Sequence, residues 1–159
     1  MRQGRLEAGH VIDTRSRRRL SPHFVVEEFD SRDGARVPDE HLDAIAKLVD
    51  WWLTPMRAEF GAVTVLSGYR SHAHNLRVGG ARHSVHLLST RLPNADPRFG
   101  AVAAAADVTC AEGSPRQWSS WAGHHRQAHA KLGPRGRGGI GTYITFLHLD
   151  TGDWRRWVN

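Results

Sequence analysis

The chain has 159 residues, of which 40% are hydrophobic and 24% charged. That is enough for one domain with an ordinary core, and the composition is that of a folded soluble protein. No apolar run approaches the roughly 18 residues of a membrane span. The N-terminus lacks the apolar segment of a secretory leader, so the expected place of work is the cytoplasm or a site reached without a cleaved signal. The lone cysteine, Cys110, excludes an internal disulfide and a cysteine-based zinc site, so any metal must be held by His, Asp and Glu. Of the net charge of +6, +4 falls within residues 1–20, where Arg2, Arg5, Arg15, Arg17, Arg18 and Arg19 face Glu7 and Asp13. The basic character therefore belongs to an N-terminal arm over 1–20, expected to be flexible, ahead of a single domain over 21–159. Such an arm can hold nucleic acid or another anionic polymer; a solvated terminus is the plainer reading.

In chain order, "SPHFVVEEFDSRDG" (21–34) reads as a short helix or turn packed on the domain. Residues 37–61 form the clearest helix: Leu42, Ile45, Leu48, Val49, Trp52 and Leu53 follow a 3-4 spacing, Gly61 is a stop, and Pro55 should kink or split the rod. "AVTVL" (62–66) is a β-branched strand. "HAHNLRVGG" is a short polar helix ending in a double glycine. Residues 87–102, with two prolines, an Asn and a Gly, read as an irregular loop. "AAAADVT" (103–109) is small and apolar up to Asp107 and reads as a buried strand. Residues 114–133 open on Ser-Pro and close on Gly, which predicts a helix, and "PRGRGG" predicts a flexible turn. "IGTYITFLHLDTGDWRRW" predicts a hairpin that turns at "DTGD". The order of elements predicts an α+β domain, a small and largely antiparallel sheet packed against helices.

Eleven histidines make each one's role a separate question. His125 and His129 in "HHRQAH" have the i, i+4 spacing of a helical zinc pair. Arg126 stands where that helix carries its glutamate, so the pair reads as exposed surface histidines. His86, Asp107 and His148 differ, because each lies in or beside an apparent strand among small or apolar residues. A carboxylate at the end of "AAAAD" is costly to bury alone, and a cation removes that cost. Two imidazoles and one carboxylate make a zinc set that leaves a fourth position for water. On spacing alone, a core histidine hydrogen-bonded to a core aspartate is the alternative.

"SGYRSHAHNLRVGGARHSVH", "AAADV" and "GGIGTYITFLHLDTGDWRRW", with the opening "LSPHFVVEEFDS", resemble the successive motifs of the zinc D-Ala-D-Ala carboxypeptidase family. That family belongs to the hedgehog and D,D-peptidase superfamily of peptidoglycan peptidases. The resemblance spans about residues 20–158. It implies a hedgehog/D,D-peptidase-like fold and one zinc ion held by His86, Asp107 and His148. It further implies that Arg70 holds the substrate or polarises its carbonyl, that Ser84 lies near the substrate, and that Asn75, Val78, Gly79 and Gly80 form a structural segment. His83 becomes a bystander at the pocket edge.

Two departures from the family pattern stand out. Twenty residues separate His86 from Asp107, an insertion of about fourteen, which loop-closure entropy tolerates because it grows slowly with length. It would place a flap beside the metal. Thr145, Phe146 and Leu147 also occupy the places where many relatives carry an acid or a second histidine as general base. The nearest acid, Asp150, shares a strand face with His148, so it is expected to act as the catalytic base or to orient a histidine.

The implied activity is zinc-dependent hydrolysis of an amide bond in peptidoglycan stem peptides, of carboxypeptidase or endopeptidase type, by a monomer. Two alternatives remain open: a cell-wall-binding relative without catalysis, and a nucleic-acid binder acting through the arginine arm, which fits the charge less well. A wall-directed enzyme without a leader would reach its substrate by a phage lysis route or another form of export.

Overall fold

The structure, a computed structural model, describes residues 18–89 and 102–159. Two short strands, β1 (Arg19–Ser21) and β2 (Phe24–Val25), pair antiparallel and lead into a 3-10 turn at Val26–Phe29. β1 thus begins inside the stretch expected to be an arm, whose residues 1–17 lie outside the described part. Glu28 caps the turn by accepting the Val25 amide at 2.8 Å.

The long amphipathic segment forms α1 (Leu42–Leu48), a π-helical turn (Val49–Leu53) and α2 (Thr54–Phe60). The expected split at Pro55 takes the form of this π turn, one of the usual ways a helix absorbs a local fault. The i→i−4 donor to the Trp51 carbonyl would be the amide of residue 55, which proline lacks. His125 Nε2 donates to that carbonyl instead, at 2.7 Å. The ring of His125 also stacks on Trp121 at 4.7 Å and packs against Trp52 and His129. The histidine pair expected on the surface is therefore half-buried, because the helix fault beside it needs a donor.

The main sheet contains β3 (Val63–Ser67), β4 (Ala105–Cys110), β5 (Gly139–Thr142), β6 (Leu147–Asp150) and β7 (Arg155–Val158), in the order β3-β4-β6-β5-β7. All neighbours are antiparallel except β5 and β7. The mixed, largely antiparallel α+β architecture expected from the sequence is present. The short helix α3 (His72–Arg77) follows β3, and α4 (Pro115–Ala128) follows β4. Ala106, Val108, Ile140, Leu147 and Leu149 are fully buried on one face, against α1 and α4. The opposite face carries Asp107, His148 and Asp150. Trp52 ties the helical layer to β6: its indole donates to the Asp150 carbonyl at 2.8 Å with no exposure of its own.

Three expectations are corrected. The chain reverses at "DTGD" as expected, but β7 does not pair with β6, and an additional reversal at Tyr143–Phe146 makes the hairpin: Tyr143 N donates to the Phe146 carbonyl at 3.1 Å and their rings stack at 4.2 Å. Residues 139–150 thus hold two strands, and the reversal after Asp150 returns β7 to the outer edge of β5. "PRGRGG" is not all turn, since Gly139 opens β5. Helix α4 ends at Ala128, ahead of its glycine stop, because His129 turns extended (φ −81°, ψ 122°). In the 87–102 segment, Leu87 and Leu88 are buried, and residues 90–101 lie outside the described part.

The His125 bond to the helix fault predicts that His125→Ala destabilises the fold by about 1–2 kcal/mol, the cost of an unsatisfied carbonyl plus lost ring packing. Chemical denaturation measures it. The companion variant Pro55→Ala, which restores a backbone donor, should reduce the penalty.

Candidate metal centre

The register of β4 and β6 sets Asp107 directly opposite His148. Alternation along each strand keeps both side chains on the face away from the helices. His86 arrives separately, on a 3-10 turn (Val85–Leu87) that Ser84 caps by accepting the His86 amide at 3.3 Å. The turn is docked by the Arg70 amide, which donates to the His86 carbonyl at 2.9 Å. It ends at Leu88, a buried residue with φ 54°. A bulky side chain in the left-handed region is strained, and the strain is held two residues from His86. Gly68 fits beside it because a Cβ there would collide with the Phe29 backbone.

The three side chains form a buried triangle. His86 Nε2 lies 3.2 Å from His148 Nδ1 and 3.3 Å from Asp107 Oδ1, and His148 Nδ1 lies 2.9 Å from the same oxygen. Ligand atoms on a tetrahedron with bonds of about 2.0–2.1 Å stand about 3.3–3.4 Å apart, so the triangle has nearly the size of one face. The outer ring nitrogens set the tautomers. His86 Nδ1 must donate to the Gly68 carbonyl at 2.6 Å, and His148 Nε2 donates to Asp150 Oδ2 at 2.8 Å. Both inner nitrogens therefore present lone pairs to the same point, where a shared proton or a cation is needed. The group fits one metal ion.

The electrostatics agree. Burial pushes the His86 pKa down, more than Asp107 raises it, so His86 is neutral and ready to ligate. Burial would also lower His148, but Asp107 and Asp150 on either side outweigh it and push it up to about 9. Burial would raise both carboxylates. Hydrogen bonds from His148 and then His86 hold Asp107 well below the ordinary range, and His148 and Arg155 do the same for Asp150.

The structure places the remaining candidates as follows. Arg70 reaches Asp107 Oδ2 through Nη2 at 3.0 Å and Ser67 Oγ through Nε at 3.1 Å, with 17% of its side chain exposed. Ser84 is half-buried and His83 exposed. Asp150 has no exposure, and it meets the ring edge of His148 that faces away from the triangle. Its oxygens also accept from Gly139 N at 3.0 Å, Gly152 N at 2.8 Å and Arg155 Nη2 at 2.8 Å. Asn75 is buried and donates to the Ala81 carbonyl, and a Cβ at Gly80 would strike it.

Sequence reasoning missed Gly139, Gly141, Arg155 and Trp157. Trp157 lies against His148 at 5.1 Å between ring centres and donates to the Tyr143 hydroxyl at 3.2 Å. A Cβ at Gly141 would strike its indole, and one at Gly139 the Asp150 carboxylate. The signal was there: "GGIG" alternates glycines with the strand period, which leaves one face without side chains.

Fold and site together define a class, a mixed α+β domain with a buried two-histidine, one-carboxylate group of metal-site dimensions. The family-model comparison places it further: the model described as Peptidase M15 matches residues 22–150, well over half of the chain. The chain belongs to the Peptidase M15 family, as the sequence motifs had implied, and is a peptidase by that membership. A search of curated proteins and a search of solved structures each returned no match.

With His148 pushed up to about 9, the metal-free protein carries a proton that an incoming cation must expel. Protons therefore compete with metal below pH 9. The apparent affinity for added Zn2+ should fall by about tenfold per pH unit on acidification, with about one proton released per ion bound. Calorimetry in buffers of different ionisation enthalpy measures both. Asp107→Ala should abolish binding.

Proposed function

We propose that the protein is a zinc metallopeptidase that hydrolyses an amide bond in peptidoglycan stem peptides, working as a monomer on cell wall. The observation that carries this reading is the buried triangle of His86, Asp107 and His148 in a member of the Peptidase M15 family. These three would hold one zinc ion. When bound, zinc supplies Lewis-acid polarisation of the scissile carbonyl and activation of a water nucleophile.

The chain's own residues supply the rest. The Gly68 carbonyl and Asp150 fix the two imidazoles as ligand tautomers, and Arg155 neutralises Asp150. We assign Asp150 this orienting work in place of the general base anticipated from the sequence. Its oxygens already accept four bonds, and it lies behind the ligand ring. Arg70 balances the charge of Asp107 through one nitrogen. Its remaining N–H groups are available to a substrate carboxylate or to a carbonyl oxygen gaining charge. Ser84, half-buried and two residues before His86, offers a hydroxyl at the lip of the site for substrate.

A second reading, a wall-binding relative without catalysis, has one observation in its favour. Among the described residues, the two carboxylates at the triangle, Asp107 and Asp150, are both fully engaged, so neither stands free as a base.

Incubating the zinc-loaded protein with muropeptides separates the two readings. The peptidase reading expects a cleaved stem peptide, lost in His86→Ala; binding to sacculi with no product from folded wild-type protein would sink it. Arg70→Lys should lower kcat by about 10²–10³-fold, as for loss of one oxyanion donor. Asp150→Asn should weaken zinc binding by about 10–100-fold and keep the wild-type pH profile at saturating zinc. A base at this position would instead remove the acid limb of that profile.

A further inference from the structure

The helix-covered side of the sheet carries a cavity of about 770 Å³ between α4 and the β5–β7 edge. This lies within the usual range of small-molecule sites. Thr142, Arg156 and Val158 reach it from the sheet, whereas His148, Asp150, Arg155 and Trp157 occupy the other face. The cavity is therefore separate from the metal triangle, and nothing in the peptidase reading uses it.

Its charge is one-sided. Arg116 in the first turn of α4, Arg126 in the last turn and Arg156 on β7 all line it, and no Asp or Glu does. Among the described residues, no carboxylate forms an ion pair with any of the three. Neutral groups brace two of them instead. Arg126 donates through Nε to the Arg137 carbonyl at 2.6 Å, and its guanidinium lies 3.8 Å above the Trp154 ring. Arg156 Nη2 donates to both the carbonyl and the hydroxyl of Ser119, each at 3.0 Å. Gly123 leaves room for that guanidinium, since a Cβ there would press on Arg156 Nη1.

Arg126 is the telling residue, with only 8% of its surface exposed. Burial disfavours its charge, and no neighbouring acid offsets the cost. The guanidinium is partly desolvated and has no acidic partner among the described residues, so an anion in the cavity would offset that cost. The outer wall is apolar: Ile144 and Val158 are 89% and 80% exposed, and Trp154 43%.

We propose that this cavity is a second ligand site that takes a small organic oxyanion. Arg116, Arg126 and Arg156 receive a phosphate or carboxylate head, and Ile144, Trp154 and Val158 receive the apolar body. Guanidinium groups suit either head, because their planar forks match paired oxygens. The site stands independently of the metal centre.

The test uses the full ¹⁵N-labelled chain with phenyl phosphate, benzoate and the neutral benzyl alcohol as probes. Saturable shifts are expected at the amides of Ser119, Gly123 and Thr142 with an anionic probe, with no change at Gly68 or His86. Tighter binding of phenyl phosphate assigns a phosphate head, and tighter binding of benzoate a carboxylate. Affinity should fall at least about tenfold in Arg116→Gln and in Arg156→Gln, about 1.4 kcal/mol. The Arg116 side chain is exposed on its helix, so that variant reads out even if Arg156→Gln fails to fold. Absence of saturable shifts with both anions, equal binding of benzyl alcohol, shifts confined to the metal face, or unchanged affinity in Arg116→Gln each overturns the proposal.

Discussion

A line of alternating charge runs across one face of the sheet: Arg70, Asp107, His148, Asp150, Arg155. Consecutive members are joined at 3.0, 2.9, 2.8 and 2.8 Å. Two carboxylates and two imidazoles are withdrawn from water there. A buried ion costs several kcal/mol unless partners replace its hydration, so every remaining lone pair has to be met. The backbone amides of Gly139 and Gly152 meet those of Asp150, and the Gly68 carbonyl takes the outer proton of His86. Much of the local structure follows from this line. The glycines of β5 are bare so that Asp150 and Trp157 fit, and the strained turn at Leu88 brings His86 to the corner between Asp107 and His148.

The opposite face of the same sheet makes that accounting possible. Ala106, Val108, Ile140, Leu147 and Leu149 pack against the helices without exposure, so the strands cannot slip. A one-residue shift of β4 against β6 would send Asp107 into the apolar layer and Ala106 to the site. Trp52 reinforces the register by bonding the Asp150 carbonyl from the helical side. His125 in turn holds the helix fault from which Trp52 projects. The helical layer thus acts on the site through β6 rather than by contact with the ligands.

Legibility in the sequence depended on how local each feature is. The segment 37–61, the strands around Val65 and Asp107, and the α+β class follow from hydrophobic periodicity, which adjacent residues encode. His86, Asp107 and His148 were legible only through motif resemblance, because spacing along the chain says nothing about convergence when 62 positions separate the two histidines. The additional turn at Tyr143–Phe146 was missed because a ring stack closes it, and ring stacks have weaker sequence signatures than Asp-Gly pairs. β7 was expected opposite β6 but joins β5 in parallel. Strand alternation records which side chains share a face, not which neighbour they face.

The sequence alone therefore determined the class of fold, the absence of cysteine ligands and the residues able to hold a metal, since these depend on residue type and local period. Tertiary structure alone decided which nitrogen of each histidine faces the metal position, that Asp150 stands behind the ring of His148, and that three arginines gather on the far face without a counter-ion among the described residues. Each of these depends on the direction of a side chain relative to groups tens of residues away. Direction arises only when strands register and helices pack.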